Sequence, residues 1–195
     1  MDDIPFSDIR LAREGDPDAS RRIVEQLQRP IIATIHRFLG RRFREDVEDI
    51  AQDVFLKLFR ALDRFDEERG VKFTTWAFTF VKNHCFDVLK KRRIPAVSID
   101  SGAVAEEDEG QWELADGSVR MPPHAALDSE LGSRIEAAIE SLSPDHRMVF
   151  ILREYEQMDL KSIAEAMEVS EGTIKSRLHR AKQALIARLE PYLKT

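Results

Sequence analysis

Residues 172–182, near the carboxyl terminus, concentrate positive charge in a way that favours contact with nucleic acid. Lys175, Arg177, Arg180 and Lys182 all lie in this stretch, which contains no acidic residue. Guanidinium and ammonium groups bind phosphate oxygens and the edges of guanine bases. The alternative is an ordinary basic surface helix, although such a face normally mixes acids with bases. The stretch therefore predicts a DNA-binding surface.

The apolar and small residues of the same stretch assign its two faces. At about 100° per residue of α-helix, one narrow apolar stripe faces the core: Ile174, Leu178, Ala181 and Leu185. The opposite side is small or polar: Gly172, Lys175, Ser176 and His179, with Thr173 and Arg180 at its borders. A short helix over 160–167, a tight turn through Val169 and a helix capped by Ser170 complete a helix-turn-helix pattern.

A second stretch, 72–93, combines aromatic rings with basic side chains. One helical face is expected to carry Trp76, Phe80, Asn83, Asp87 and Lys90, and the stretch ends in Lys90, Lys91, Arg92 and Arg93. Unpaired bases stack on aromatic rings while cations bind their phosphates, so this face fits a separated DNA strand. The two rings could instead pack against a helix over 17–39, but that would not explain Asn83 or the basic cluster.

A third stretch, 45–65, has an apolar residue on its polar side. Its core stripe is Val47, Ile50, Ala51, Val54, Leu58 and Leu62. The opposite face carries Asp49, Gln52, Asp53 and Arg60, with Leu56 at its centre. A single exposed leucine can be without meaning, or it can anchor a protein interface.

These surfaces require helices to present them. Apolar residues recur with a 3.6-residue period, and no alternating strand pattern flanked by turn pairs appears. The expected helices cover about 6–14, 17–39, 45–63, 73–92, 128–141, 144–156, 160–167 and 170–190. Asp16-Pro17 and Ser143-Pro144 fit a cap followed by a proline, whereas Pro30 is expected to kink or break its helix. The predicted fold is all-α.

The distribution of charge divides the chain. Its net charge is −6, but residues 1–93 carry +2, residues 94–130 carry −8 and residues 131–195 carry 0. The middle stretch lacks helical periodicity and contains three glycines, which is typical of a flexible acidic linker. It is either a tether or a mimic of nucleic acid inside a basic channel. We therefore expect two small helical domains, 1–93 and 131–195, joined by the linker 94–130.

Other classes of protein find little support. One cysteine, Cys85, excludes an intrachain disulfide, the histidines are scattered singly, and no set of carboxylates or activated nucleophile converges. We expect no enzyme activity, cofactor or metal. The amino-terminal residues lack a basic, apolar signal pattern, and no apolar run could span a bilayer. This predicts a soluble, cytoplasmic protein without membrane insertion.

The three stretches together resemble the extracytoplasmic-function (ECF) sigma factors of bacterial RNA polymerase. EGTIKSRLHRAKQAL is similar to their region 4 recognition helix, DIAQDVFLKLFR to region 2.2, and KFTTWAFTFVKNHCFDVLKKRR to regions 2.3 and 2.4. The likeness covers nearly the whole chain. It implies a region 2 helical bundle, a region 4 helix-turn-helix domain, and the function of an alternative sigma factor that directs promoter-specific initiation, often in a stress response.

The resemblance also implies partners and contact residues. Asp49, Gln52, Asp53 and Leu56 would bind the clamp helices of the polymerase's largest subunit, and region 4 would bind the flap of the second largest. The −10 element would be bound by Trp76, Asn83, Lys90, Lys91, Arg92 and Arg93, with the loop at about 64–73 helping Asn83 to capture a flipped base. The −35 element would be read by Lys175, Ser176, His179 and Arg180. Weaker candidates for backbone contacts are Arg147, Lys161 and Lys182.

Some features stay open at this stage. His84, Cys85 and Phe86 stand where the family more often has small or aliphatic residues, which leaves the −10 preference undetermined. The family implies an anti-sigma factor as partner, and nucleoid association within holoenzyme. A sigma mimic that sequesters an anti-sigma factor would have no reason to keep a basic recognition helix, and a helix-turn-helix repressor would need a dimerisation or ligand module in place of 1–93.

Overall fold

The computed structural model describes residues 3–91 and 130–193. Within those ranges the chain forms eight α-helices and no strand, which confirms the all-α prediction. The helices are α1 Phe6–Arg13, α2 Pro17–Leu39, α3 Val47–Arg60, α4 Phe73–Lys91, α5 Glu130–Glu140, α6 Pro144–Glu154, α7 Leu160–Met167 and α8 Glu171–Leu193. The predicted linker lies outside the described residues except for Glu130, which begins α5.

The predicted helix over 45–63 is divided in the structure. Its α-helical part is α3, and 3₁₀ turns occupy Arg41–Asp46 before it and Leu62–Arg64 after it. A further 3₁₀ turn covers Glu67–Arg69. Phe43 and Leu62 are both buried within these turns. The tighter turns let the chain change direction while keeping its apolar side chains in the core.

Three helix starts follow their sequence signals. The Asp16 carboxylate accepts from the Ala19 amide at 2.7 Å, and the Ser143 hydroxyl accepts from the His146 amide at 3.4 Å. Proline follows each of these caps, where a missing amide hydrogen costs nothing. The Ser170 hydroxyl accepts from the Thr173 amide at 3.1 Å at the start of α8. These side chains satisfy amides that have no partner within the helix.

Of the two effects expected at Pro30, a kink or a break, the break does not occur, because α2 continues through Pro30 from Pro17 to Leu39. Proline in a helix interior costs about 3 kcal/mol. The adjoining turns bury a continuous apolar stripe, in which Leu27, Ile31 and Ile35 are fully buried. Each such side chain stabilises the fold by roughly 1.5–3 kcal/mol, so burial on both sides outweighs the cost of the proline.

Helix α2 is the central helix on which the other helices pack. It contacts α1, α3 and α4 from its own half of the chain, and α5 and α6 from the other half. Helix α4 in turn packs against α7. The buried apolar side chains of both halves form one continuous cluster. In this arrangement the two predicted domains lie in direct contact.

Polar groups occupy the junction between the two halves. Lys82 Nζ lies 2.6 Å from Glu168 Oε2, and Lys82 is buried on α4. The Arg41 guanidinium lies 3.2 Å from Glu136. At the end of α2, Gly40 has a φ of 75° and a ψ of −171°, which glycine alone adopts without strain. A Cβ on Gly40 would lie 2.5 Å from the Glu140 carboxylate, so the lack of a side chain also permits close approach of the two halves.

Arg147 lies inside the junction, so its expected contact with DNA is not available in this arrangement. Its guanidinium donates to the carbonyl oxygens of Phe38 at 2.7 Å, Leu142 at 3.0 Å and Glu140. These carbonyls lie at the carboxyl ends of α2 and α5, where the last turn lacks intrahelical donors. Burial lowers the pKa of Arg147, and the nearby Glu140 partly opposes that shift. Arg147 therefore stabilises the junction.

Glu156 is a buried carboxyl at the same junction. Its Oε1 accepts from the Thr34 hydroxyl at 3.0 Å and lies 3.8 Å from Arg37. Burial raises the pKa of Glu156 above its ordinary value, although the Thr34 hydrogen bond and Arg37 act in the opposite direction. The Arg37 guanidinium also lies 4.2 Å from the centre of the Tyr155 ring.

No helix among the described residues is long and apolar enough to cross a membrane.

We expect Arg147→Ala to lower the free energy of unfolding by about 3 kcal/mol, since it removes charged hydrogen bonds and leaves buried carbonyl groups without a donor. Urea unfolding followed by circular dichroism measures this change. Lys161→Ala, at an exposed position on α7, should stay within about 0.5 kcal/mol of the unmodified protein. If Arg147→Ala lowers the free energy of unfolding as little as Lys161→Ala, Arg147 does not stabilise the junction.

We expect Glu156→Gln to change how stability depends on pH. Because the folded pKa of Glu156 is raised above 4.5, its contribution to stability is full below pH 4.5 and is lost as pH rises through the folded pKa. The variant should therefore gain stability relative to the unmodified protein as pH rises above 4.5. Urea unfolding at a series of pH values gives this difference, and Glu165→Gln, an exposed change on α7, is the matched control. A difference that is flat or falls with pH would contradict the assignment.

Candidate nucleic-acid interface

The helix-turn-helix pattern is formed by α7 and α8. Helix α7 ends at Met167, and the C-cap residue Glu168 adopts a left-handed φ of 59°. The Val169 amide donates to the Ala164 carbonyl at 3.1 Å, and Ser170 then caps α8. The apolar stripe of α8 is buried: Ile174, Leu178, Ala181 and Leu185. This burial fixes which side of α8 faces solvent.

The four predicted −35 residues all lie on the exposed side of α8: Lys175, Ser176, His179 and Arg180. The Ser176 hydroxyl donates to the Thr173 carbonyl at 2.9 Å, which holds it against the helix. The other two basic side chains of the stretch form ion pairs with α6: Arg177 lies 3.0 Å from Asp145, and Lys182 lies 3.0 Å from Glu154. Lys182, a weaker candidate for contact with the DNA backbone, remains partly exposed beside Glu154. Lys161, the other such candidate, is exposed.

The predicted strand-binding face of α4 is partly an aromatic cluster. The Trp76 ring lies 4.8 Å from Phe80, 5.3 Å from Phe65 and 5.4 Å from Phe73, measured between ring centres. Trp76 and Phe80 are half-buried, so each retains some ring surface for solvent. Trp76 thus packs on the segment before α4 and on α4 itself.

The polar members of that face are exposed at the other end of α4. Asn83, Lys90 and Lys91 all face solvent. Arg92 and Arg93 lie outside the described residues. Lys82, the neighbour of Asn83, is bound to Glu168 in the turn between α7 and α8. Helix α4, which carries the candidate −10 residues, is therefore joined to the turn of the helix-turn-helix by an ion pair in this arrangement.

The polar face of α3 is exposed around its leucine. Asp49, Gln52 and Asp53 are exposed, and Leu56 keeps 49% of its surface open to solvent. The core stripe beneath them is buried as the sequence predicts: Val47, Ile50, Ala51, Val54, Leu58 and Leu62. The arrangement offers an apolar group surrounded by hydrogen-bonding groups.

His84 lies beneath this face and supports it. Lys57 Nζ lies 2.6 Å from His84 Nδ1, and His84 Nε2 lies 3.6 Å from Asp53 Oδ2. Burial, followed by the charge of Lys57, lowers the pKa of His84 and favours the neutral ring. A neutral ring that accepts from Lys57 at Nδ1 carries its hydrogen on Nε2, facing Asp53. Sequence reasoning noted His84 only as a departure from the family, because no local pattern links it to residues 27 positions away.

No group of three or more histidine, cysteine or acidic side chains in residues 3–91 and 130–193 is placed to hold a metal ion. Cys85 is buried on α4, and burial raises the pKa of its thiol well above the ordinary range.

Comparison with known proteins agrees with this geometry. The Sigma-70 region 2 family model matches residues 23–94, and the Sigma-70 region 4 model matches residues 133–185. The chain is 31% identical to the ECF RNA polymerase sigma factor SigW of Bacillus subtilis, over 91% of this chain and 92% of that protein. It is 32% identical to the RNA polymerase sigma-H factor of Pseudomonas aeruginosa, over 95% and 94% of the two chains.

Solved structures share the fold. CnrH, in complex with the cytosolic domain of CnrY, matches with a TM-score of 0.68 and 22% identity, over 94% of this chain and 96% of that one. The sigma factor RpoE of Bartonella quintana, in complex with the anti-sigma factor NepR, matches with a TM-score of 0.58 and 23% identity, over 87% and 98%. The Sigma-70 family models and the relatives that are 31% and 32% identical show that the chain belongs to the ECF sigma factors, alternative sigma factors that direct promoter-specific transcription initiation.

Proposed function

We propose that this chain binds core RNA polymerase through α3, reads the −35 element through α8, and captures the opened −10 element through α4 and the loop before it. The observation that carries the proposal is the pairing of two exposed faces in one chain. One is an apolar anchor among acids on α3, and the other is a basic face on α8 that contains no acid. A DNA-binding regulator alone would not need the first of them.

The face of α3 has the composition of an interface anchor. Leu56 is one of the few large apolar side chains that remain exposed. Asp49, Gln52 and Asp53 surround it with groups that bind cations and amides. A few residues near the centre of an interface carry most of its binding energy, and the contacts around them mainly exclude water. We infer that Leu56 enters a pocket on the polymerase clamp while the polar groups bind at its edge.

The face of α8 has the composition of a base-reading helix. Lys175 and Arg180 have no acidic partner among the described residues, whereas Arg177 and Lys182 are held by α6. Free donors can reach guanine edges in a major groove, and the small Gly172 and Ser176 allow close approach of the helix. We infer that Lys175, Ser176, His179 and Arg180 read the −35 element.

The face of α4 suits a separated strand. Trp76 retains a partly open ring, Asn83 offers both donors and an acceptor, and Lys90 and Lys91 can bind phosphates. A flipped base costs a few kcal/mol to extract from the helix. Stacking offsets part of that cost for any base, whereas hydrogen bonds to the Asn83 amide add stabilisation only for a matching base. We infer that α4, extended by Arg92 and Arg93, stabilises the opened −10 strand.

The compact arrangement cannot occupy both promoter elements together. Elements centred at −35 and −10 lie about 25 base pairs apart, or roughly 85 Å at 3.4 Å per pair. A compact chain of this length has a radius of gyration of only about 16 Å. The two halves must therefore separate when both elements are bound, and the Lys82–Glu168 pair must break. Residues 94–130 are long enough to connect them, since a chain of that length extends to at most about 120 Å.

An anti-sigma factor is the partner expected of the compact arrangement. Two structures of similar fold are complexes: CnrH with the cytosolic domain of CnrY, and the sigma factor RpoE with the anti-sigma factor NepR. We propose that a protein of this class also binds the present chain. We further propose that the chain performs no catalysis itself and works in the cytoplasm, on the nucleoid, as part of holoenzyme.

Reconstitution with core polymerase tests the function directly. Core plus the unmodified chain should start transcripts at discrete sites on genomic DNA, whereas core alone should not. Leu56→Asp should weaken core binding by at least about 30-fold, the effect of losing an interface residue worth about 2 kcal/mol. Fluorescence anisotropy of a chain labelled at its amino terminus measures this affinity. Scattered, non-specific starts with the unmodified chain would refute the proposal.

Leu11→Asp is the matched control, because it places the same charge at an exposed aliphatic position on α1. It should bind core like the unmodified chain. If Leu56→Asp also binds normally, α3 is not the polymerase-binding face.

The −35 assignment makes a separate prediction. Lys175→Ala and Arg180→Ala should each reduce initiation about tenfold on a promoter with its −35 element intact, since a good base contact is worth about 1–3 kcal/mol. Core affinity should not change. The measurement is the transcript yield on templates with an intact or a scrambled −35 element. The variants should give a lower yield on the intact template and an unchanged yield on the scrambled one.

Arg188→Ala is the control for charge alone, because Arg188 is exposed farther along the same helix. It should preserve the preference for the intact −35 element. An equal loss on both templates for Lys175→Ala would mean that the lysine binds phosphate and reads no base.

A further inference from the structure

We propose that Arg13, on α1, is a positioning residue for −10 recognition: it holds the loop 62–72, between α3 and α4, in the shape that receives a base. The proposal rests on the function proposed above for α4 and this loop. Helix α1 lies before residue 23, where the match to the region 2 family model begins. Nothing in that match assigns a role to Arg13.

Arg13 binds the backbone of the loop at two points. Its Nε donates to the Leu62 carbonyl oxygen at 3.1 Å, and its Nη2 donates to the Phe65 carbonyl oxygen. Leu62 and Phe65 are both buried, so these carbonyls lie at the root of the loop. A planar guanidinium can span two acceptors three residues apart, and this fixes their relative orientation.

Glu67 joins the loop to α1 a second time. Its carboxylate lies 2.9 Å from Arg10 Nη2 and 3.6 Å from Arg13 Nη1. Arg10 is largely exposed, so water screens its pair with Glu67. Arg13 is the better shielded of the two, with 24% of its side chain open to solvent. Arg13 therefore contributes more than Arg10 to holding the loop in place.

The far end of the loop is held by the same amino-terminal segment. The amides of Phe73 and Thr74, at the start of α4, donate to the Asp3 carboxylate at 3.2 and 3.0 Å. No nearer residue caps α4 among the described contacts. Residues 3–13 thus bind the loop at its root and at its exit.

The braced loop surrounds an open cleft of about 400 Å³, lined by Arg10, Arg13 and residues 63–68. Phe65 anchors it from below by packing edge-on against Phe73, with 5.1 Å between ring centres. Asp63, Arg64 and Asp66 remain exposed at its rim. A loop already ordered loses less conformational entropy when it binds, so its contacts can be used to distinguish bases.

The test measures base discrimination by holoenzyme assembled from core polymerase and the full chain. The probe is a pool of single-stranded DNA oligonucleotides with randomised central bases, and bound molecules are sequenced. We expect the unmodified chain to enrich a preferred motif. Arg13→Ala should lower the ratio of best to average sequence about tenfold, equivalent to about 1.4 kcal/mol, while core affinity stays unchanged. Arg13→Lys should be intermediate, since an ammonium keeps the charge but lacks the planar fork.

Arg21→Ala is the matched control, because this exposed arginine on α2 pairs with Asp18 on its own helix, at 3.3 Å, and with no other acid in residues 3–91 and 130–193. It should enrich the motif normally. If Arg13→Ala enriches the motif as fully as the unmodified chain, the proposal is overturned. A parallel loss of core affinity and thermal stability would also overturn it, because it would show that the substitution destabilises the whole fold. An unmodified holoenzyme without any preferred motif would instead contradict the proposed function of α4 itself.

Discussion

Burial of one stripe along α2 is the constraint on which the rest of the structure depends. Its members are fully buried: Ala19, Ile23, Leu27, Ile31, Thr34, Ile35 and Phe38. Helices from both halves of the chain pack on α2, so its apolar face organises the region 2 bundle and also receives α5 and α6. Each buried aliphatic group contributes roughly 1.5–3 kcal/mol. The same burial keeps α2 helical through Pro30 and leaves the polar faces of α3 and α8 outside.

The junction between the halves combines continuous apolar packing with several polar pairs. Thr34, Glu156 and Arg37 meet at one point of it, and Lys82 meets Glu168 at another. Burial disfavours the charges of both Glu156 and Arg37, so their attraction stabilises the contact little. Water can solvate these groups once the halves separate. Interfaces between domains of one chain are commonly polar in this way, and such a junction suits a protein proposed to open on a promoter.

Much of the fold and of the candidate site could be predicted because it depends on short-range periodicity. The stripe from Val47 to Leu62 and the stripe from Ile174 to Leu185 are buried as expected, and the exposed faces of α3 and α8 follow from them. The sequence allows the Trp76 ring either to bind a DNA strand or to pack against the helix over 17–39. In the structure the ring packs on Phe65, Phe73 and Phe80. The continuity of α2 at Pro30 could not be foreseen, because it is decided by tertiary burial.

The sequence by itself determined the approximate positions of the helices, the caps at Asp16, Ser143 and Ser170, and the faces of α3 and α8 that meet solvent. These features follow from the α-helical period and from groups three residues apart. The start of α4 is instead capped by Asp3, from 70 positions away. Only the tertiary structure decided which polar groups meet. Arg147 binds Phe38 across 109 positions, Arg13 binds Leu62 across 49, and Lys57 binds His84 across 27. Such pairs leave no local periodic signal. They form when packing of the apolar stripes brings distant segments together, and in this way an arginine expected to bind DNA became part of the junction.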